Sequence, residues 1–294
     1  MKDVITVKNM RESDADTIKH SIPSKELMYR AAMGVYRAVD WKGRIGILTG
    51  AGNNGGDGYA LACILADQEV NCCIYCISEK FSEDGRYYHD LAASKGVEIK
   101  MFTQGDTLHN YDILVDCMLG TGFSGNVRGL FRPAIKAINN SRSYVVSVDI
   151  NSGMNGDTGQ AELAVKADLT VTIGFLKTGL FLGDAIWYVG KLAIAEIGIG
   201  LVKQEYFLAA PKELSFPQSG LCPTENSVEV LTPGEAASLT KRGHSIPLTA
   251  EEYARKNHCL VQVLGKNSLL TDGFRTYFIE AGDFPIEILS LGDR

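Results

Sequence analysis

The chain has 294 residues, 45% of them hydrophobic and 22% charged, an ordinary globular composition that can build one large core or two domains. A formal net charge of −6 argues against a surface made to neutralise nucleic-acid phosphates and favours a small-molecule ligand. The charged N-terminus MKDVITVKNMRESDADTIKH carries no apolar h-region, and no stretch reaches the length of a membrane span. A cytoplasmic protein with no nucleic-acid and no membrane partner is therefore expected.

In chain order, residues 24–39 place Leu27, Met28, Ala31, Ala32, Val35 and Val39 at helical spacing, with Ser24 as the expected N-cap. The apolar run 44–50 reads as a strand, followed by the glycine-rich turn GNNGGDG and a helix through Ala60 to Ala66. Strand 70–77, helix 82–96 and strands 97–102 and 112–119 come next. Helix 129–140 and strands 144–150 and 167–174 follow. Alternating β and α elements with near-continuous apolar strands predict an α/β fold, a Rossmann-like three-layer sandwich around a mostly parallel sheet. The seven cysteines (Cys63, Cys72, Cys73, Cys76, Cys117, Cys222, Cys259) match no disulfide framework or zinc spacing. The closest three, in VNCCIYCI, read as small hydrophobes in a strand.

In parallel sheets, ligands bind beyond the carboxyl ends of the strands. Three loops there combine glycine with small polar residues: TGAGNNGGDG, GTGFSGNVRG and DINSG. Gly50, Gly52 and Gly55 satisfy G-x-G-x-x-G, and Glu79 lies near the end of the next strand, so a nicotinamide-dependent dehydrogenase has to be weighed. The first loop, however, carries Asn53, Asn54 and Asp57, and a carboxylate would repel phosphate. Oxygens there suit a hydroxyl, a ring amide or a cation. No histidine falls in any of the three loops.

GAGNNGGDGYALA closely resembles the signature loop of the YjeF N-terminal domain family, the NAD(P)HX epimerases. The resemblance continues through MRESDADTIKHSIPSKELMYRAA, LVDCMLGTGFSGNVRG, VVSVDINSG, ADLTVTIGFLKTGLFLG and YVGKLAIAEIGIG, about two-thirds of the chain. It implies that Asn53, Asn54, Gly55, Gly56 and Asp57 hold hydrated NADH or NADPH. Gly120, Thr121, Gly122, Phe123, Ser124, Gly125 and Asn126 would hold it as well. It also implies a potassium ion on Asn54, Asp116 and Ser152, an oxygen set suited to a hard monovalent cation. Read without the family, Asp116 is a carboxylate that ends a strand and caps a turn.

Asp149 matches the family residue that touches substrate and is the expected acid/base group. Lys177, at the same sheet edge, is the other catalytic candidate, its alternative being a solvated surface lysine. Asn151 stands where the family usually has proline, which leaves one backbone dihedral of that loop unfixed.

The expected domain occupies residues 1–200, with a proline-rich linker over 201–227. Residues 228–294 resemble pieces of the ADP-dependent NAD(P)HX dehydratase that is often fused to this epimerase, without its glycine-rich nucleotide loop. They read as a truncated remnant, a small appendage. The activity expected is interconversion of the R and S epimers of hydrated NADH and NADPH, with homodimerisation open to such a chain. The alternative is a non-catalytic scaffold of the same fold.

Overall fold

In the computed structural model, residues 1–216, 219–221, 228–240, 244–264 and 267–280 are described, together with the backbone of Ile286–Leu289. Cys222 and, from the expected linker, residues 217, 218 and 223–227 lie outside the described residues. The chain opens with β1 (Lys2–Ile5), α1 (Val7–His20) and α2 (Ser24–Ala38), then alternates through β2 (Ile45–Thr49), α3 (Asn53–Asp67), β3 (Cys72–Cys76), α4 (Glu83–Ser94) and β4 (Glu98–Met101). It continues with β5 (Ile113–Cys117), α5 (Phe131–Asn139), β6 (Tyr144–Val148), β7 (Leu169–Ile173), β8 (Leu176–Lys177), α6 (Ala185–Tyr188) and β9 (Lys191–Ala195). The last third adds β10 (Tyr206–Ala209), β11 (Val228–Leu231), α7 (Pro233–Leu239), α8 (Ile246–Asn257), β12 (Leu260–Val263), β13 (Leu269–Thr271), β14 (Thr276–Ile279) and β15 (Ile286–Leu289).

Eight strands form the central sheet in the order β15-β9-β7-β6-β5-β2-β3-β4, and every neighbouring pair is parallel. Because side chains alternate across a strand, β5 sends Ile113, Val115 and Cys117 to one face and Leu114 to the other. The first face is covered by α2, α3 and α4 through Leu27, Ala31, Leu61, Leu65 and Tyr88. On the second, α5 buries Ala134, Ile135 and Ile138 against Leu48, Leu114 and Val145. This is the α/β layering expected from the sequence. At the start of α2 the N-cap is Pro23, so Ser24 is the first helical residue and makes no side-chain cap.

The last third of the chain does not stand apart from this body. A mixed sheet in the order β11-β12-β13-β14-β10-β1-β8 joins it to both ends of the N-terminal region. Strand β10 lies within the stretch read as a linker and pairs antiparallel with β1 and parallel with β14. Leu192 and Ile194 of β9 pack against this second sheet through Leu176, Leu208 and Phe278. Among the described residues, no helix is long and apolar enough to cross a membrane.

Candidate active site

A cavity of about 640 Å³ opens at the carboxyl edge of the parallel sheet. Its walls come from α1 (Met10, Arg11, Asp14, Ile18), the start of α3 (Asn53, Asn54, Asp57), the β5 loop (Met118 to Ser124) and Asp149 after β6. The sequence alone gives a turn at NNGGD, but the helix already begins at Asn53. Its first helical bond runs from Gly56 N–H to Gly52 C=O, which leaves the N–H groups just before it outside the helical ladder, at the cavity edge. The two glycines flanking this start answer to packing. A Cβ on Gly50 would sit 1.9 Å from Met118 O, and one on Gly55 would sit 2.1 Å from Gly50 O. The G-x-G-x-x-G match thus reflects close approach of α3 to the ends of β2 and β5.

The structure sorts the expected residues into those on the cavity wall and those behind it. Asn53, Asn54, Asp57, Gly120, Thr121, Gly122, Phe123, Ser124 and Asp149 line the cavity, whereas Gly55, Gly56, Gly125, Asn126, Asp116, Ser152 and Lys177 are not on its wall. Asn54 is 8% exposed, and both polar atoms of its side chain lack a hydrogen-bond partner.

Asp149 sits immediately after β6 with φ 66°, in the left-handed region that few residues other than glycine adopt. Its Oδ1 accepts from Lys177 Nζ at 2.6 Å and its Oδ2 from Thr121 N–H at 3.2 Å. Lys177 is fully buried and donates also to Thr172 Oγ1 at 3.0 Å and to Ile173 C=O at 2.6 Å. Its charge is thereby satisfied on the far side of Asp149, and it is no solvated surface lysine.

Asp116 follows the pleat to the α5 side of the sheet, beside Ser147 in the register of β5 and β6. Its Oδ2 accepts from Ser147 Oγ and from Ser152 N–H, each at 2.9 Å, and its Oδ1 from Met118 N–H and Ser152 Oγ. Burial pushes this carboxyl up, against the pull of those hydrogen bonds. The Ser152 hydroxyl also accepts from Leu119 N–H at 2.8 Å. Asp116 and Ser152 therefore knit the second and third loops together. Asn151 Nδ2 donates to Val165 and Tyr188 C=O at 3.0 and 2.9 Å, and its Oδ1 accepts from Thr170 Oγ1 at 2.9 Å. These bonds supply by side chain the rigidity that a proline would supply by its ring.

Sequence reasoning missed Asp14. Helix α1 buries Val7, Met10 and Thr17, and Asp14 falls one helical turn beyond Met10, where that stripe calls for an apolar residue. A carboxylate on an apolar stripe was the signal available. Burial raises its carboxyl and the nearby Asp149 raises it further, with Lys177 pulling the other way. Asp57 is driven well above the carboxylate range by burial, then by Asp149 and Asp14. Arg11, exposed, donates to Thr121 C=O at 3.4 Å.

The family described as YjeF-related protein N-terminus matches residues 24–179, more than half of the chain. An NAD(P)H-hydrate epimerase of Lentilactobacillus buchneri is 36% identical over 207 residues, covering 68% of this chain and 96% of the relative. One of Limosilactobacillus fermentum is 34% identical over 198 residues, covering 65% of this chain and 95% of the relative. This chain belongs to the YjeF N-terminal family. A bifunctional NAD(P)H-hydrate repair enzyme of Archaeoglobus fulgidus is 34% identical over 198 residues, which is 66% of this chain and 41% of that protein. The crystal structure of yeast YNL200c shares the fold, with a TM-score of 0.53 and 21% identity over 60% of this chain and 82% of that one. The cavity wall of this YjeF N-terminal member comes largely from within the family match, and α1 adds its residues from outside it.

Proposed function

We propose that this protein is an NAD(P)H-hydrate epimerase, interconverting the R and S epimers of hydrated NADH and NADPH. The relatives' shared activity supports this, and the observation that carries it is Asp149, held on the cavity wall by a fully buried lysine. In the substrate a hydroxyl sits on the carbon next to the ring nitrogen. The nitrogen lone pair expels it as water once a proton is supplied, leaving a planar cation that water re-enters from either face. Asp149 is positioned to stabilise that cation and to take the proton of the entering water. Lys177 orients it, and the Thr121 N–H fixes its second oxygen. Asn53, Asn54 and the β5 loop line the same space, and groups of their kind suit the amide, hydroxyl and phosphate groups of a nucleotide.

A potassium ion on Asn54, Asp116 and Ser152 belongs to the same proposal. The residues fit: the buried Asn54 amide oxygen has no partner, and with Asp116 and Ser152 it makes a set of hard oxygens. Bound there, the ion would supply electrostatic compensation for the buried Asp116. Retention of Asn53, Asn54, Asp57, Asp149 and Ser152 around an open cavity favours catalysis over the scaffold reading. For the last third, its partial likeness to a dehydratase supports descent from a fused enzyme, a two-activity arrangement that the Archaeoglobus protein's description states of itself.

Incubating the protein with the purified R epimer and following the S epimer by chiral chromatography tests the reading. Conversion is expected to fall ~10²–10⁴-fold in Asp149→Asn, as for loss of one acid/base group. Rates at the uncatalysed level in the wild type would leave only the scaffold.

A further inference from the structure

We propose that Asp14 is the proton donor of this epimerase, giving its carboxyl proton to the departing hydroxyl while Asp149 accepts the proton of the entering water. The inference rests on the epimerase reading and adds to it a residue outside the three sheet-edge loops.

Inversion requires two proton events at one carbon, one to release a hydroxyl and one to trim a water to a hydroxyl. Asp149 is arranged for the second, because both of its oxygens already accept from donors, Lys177 and the Thr121 N–H. Each oxygen keeps a further lone pair, so in the R-to-S direction Asp149 starts as a carboxylate that can accept again and does not supply the first proton. Lys177 has its three donor sites engaged on Asp149, Thr172 and Ile173. A second acid must therefore stand on the cavity wall.

Asp14 meets that need by position. It reaches the cavity from α1, whereas Asp149 reaches it from the end of β6. The helix that carries Asp14 is tied to Asp149 through Thr121, whose N–H is given to Asp149 while its C=O accepts from Arg11, one turn before Asp14. The groups that act on Asp14 are Asp149 and Lys177, and it in turn acts on Asp57. These three carboxyls line one cavity wall and the ammonium of Lys177 pairs with Asp149 among them, which favours retention of a proton in the group. Burial and Asp149 raise Asp14 itself, in agreement. Asp14 is half-buried and can recover its proton from solvent between turnovers. The cavity is a built binding site independently of the acids, since the buried Asn54 amide on its wall lacks any partner.

The step balances. The Asp14 O–H bond and the C–O bond break, water leaves, and the ring nitrogen lone pair forms the C=N bond of the cation. Water then adds, a new C–O bond forms, the C=N pair returns to nitrogen, and the released proton goes to Asp149. The reverse reaction exchanges the two roles, and no oxidant or further reactant is needed.

The test is the pH dependence of R-to-S conversion of NADHX in the full chain, with Asp14→Asn, Asp14→Glu and Asp57→Asn beside the wild type. Because the donor must be protonated, wild-type kcat is expected to fall as pH rises through the Asp14 carboxyl. Asp14→Asn should lose ~10²–10⁴-fold in kcat together with that alkaline limb, with NADHX binding by equilibrium titration and the thermal midpoint little changed. Asp14→Glu should restore the limb in part. Asp14→Asn with wild-type rate and limb would overturn the assignment, as would disappearance of the limb in Asp57→Asn alone. A wild type that does not convert the epimers would instead sink the epimerase reading itself.

Discussion

At residue scale, the site sets charges against burial. Asp57 carries the clearest cost: burial, Asp149 and Asp14 all disfavour its ionised form. Its folded carboxyl therefore titrates above the unfolded one, and between those two points the folded state binds more protons, so stability is lost as pH rises. Asparagine has no charge to desolvate. Asp57→Asn is expected to raise the thermal midpoint at pH 8, and the gain should vanish as pH falls below the unfolded value of about 4. A gain independent of pH would mean that packing, not ionisation, is the cause. Such a gain would exemplify stability given up for function. The position of Asp57 and Asp149 at the sheet edge was legible because glycine-rich polar loops follow their strands, and that of Lys177 because it follows the 167–174 strand at the same edge; the role expected of Asp149 came from the family resemblance. Asp14 was passed over in spite of its place on the apolar stripe of α1, since among the many charges of that helix one more carboxylate looks like solvated surface until the helix is packed. The Asn151 exchange was visible as a missing proline, but its three compensating hydrogen bonds reach residues 14 to 37 positions away and have no local signature.

At the scale of elements, regular strands were legible from apolar runs and the helices between them from spacing, to within about two residues at the ends. The start of α3 was not. Asn and Gly favour turns locally, and only contact with β2 and β5 holds NNGGD helical. β8 escaped because a strand of two residues carries no periodicity to read. β5, β6 and their loops give a second prediction. Asp116 and Ser152 clamp these loops, and the unpartnered Asn54 amide stands at the start of α3. If the three share potassium, adding the ion should raise the wild-type thermal midpoint, since a ligand of the native state stabilises it. Asn54→Ala and Asp116→Ala should each abolish that response, and a bulky organic cation should not reproduce it. Equal responses in wild type and Asp116→Ala would leave Asp116 as a strand-end carboxylate without a metal.

At the scale of the whole molecule, the last third is bound into the site's support. β8, which carries Lys177, pairs with β1, β1 with β10, and β10 with β14. The segment after β9 also clasps α1, the helix of Asp14. Gly200 N–H donates to Thr17 Oγ1, Val202 N–H to Ser13 Oγ, Asn9 Nδ2 to Lys203 C=O and Thr6 N–H to Glu205. Composition alone reads this stretch as a linker because these four bonds are to residues nearly two hundred positions earlier. Phe278, fully buried in β14, probes the coupling: its ring packs on Phe181 and Tyr206 at centroid distances of 5.2 and 6.3 Å, and it is not part of the cavity wall. Phe278→Ala should cost about 3–5 kcal/mol and lower the thermal midpoint by on the order of 10 °C. If the mixed sheet is one cooperative unit, amide exchange should quicken at Val4, Ile5 and Lys177 as well as along β14, while β2 and β3 stay protected. Epimerisation below the melting range should then slow through kcat, as the strand that positions Lys177 loosens. Faster exchange confined to residues 260–280, with kcat unchanged, would show instead that the last third opens by itself and leaves Lys177 in place.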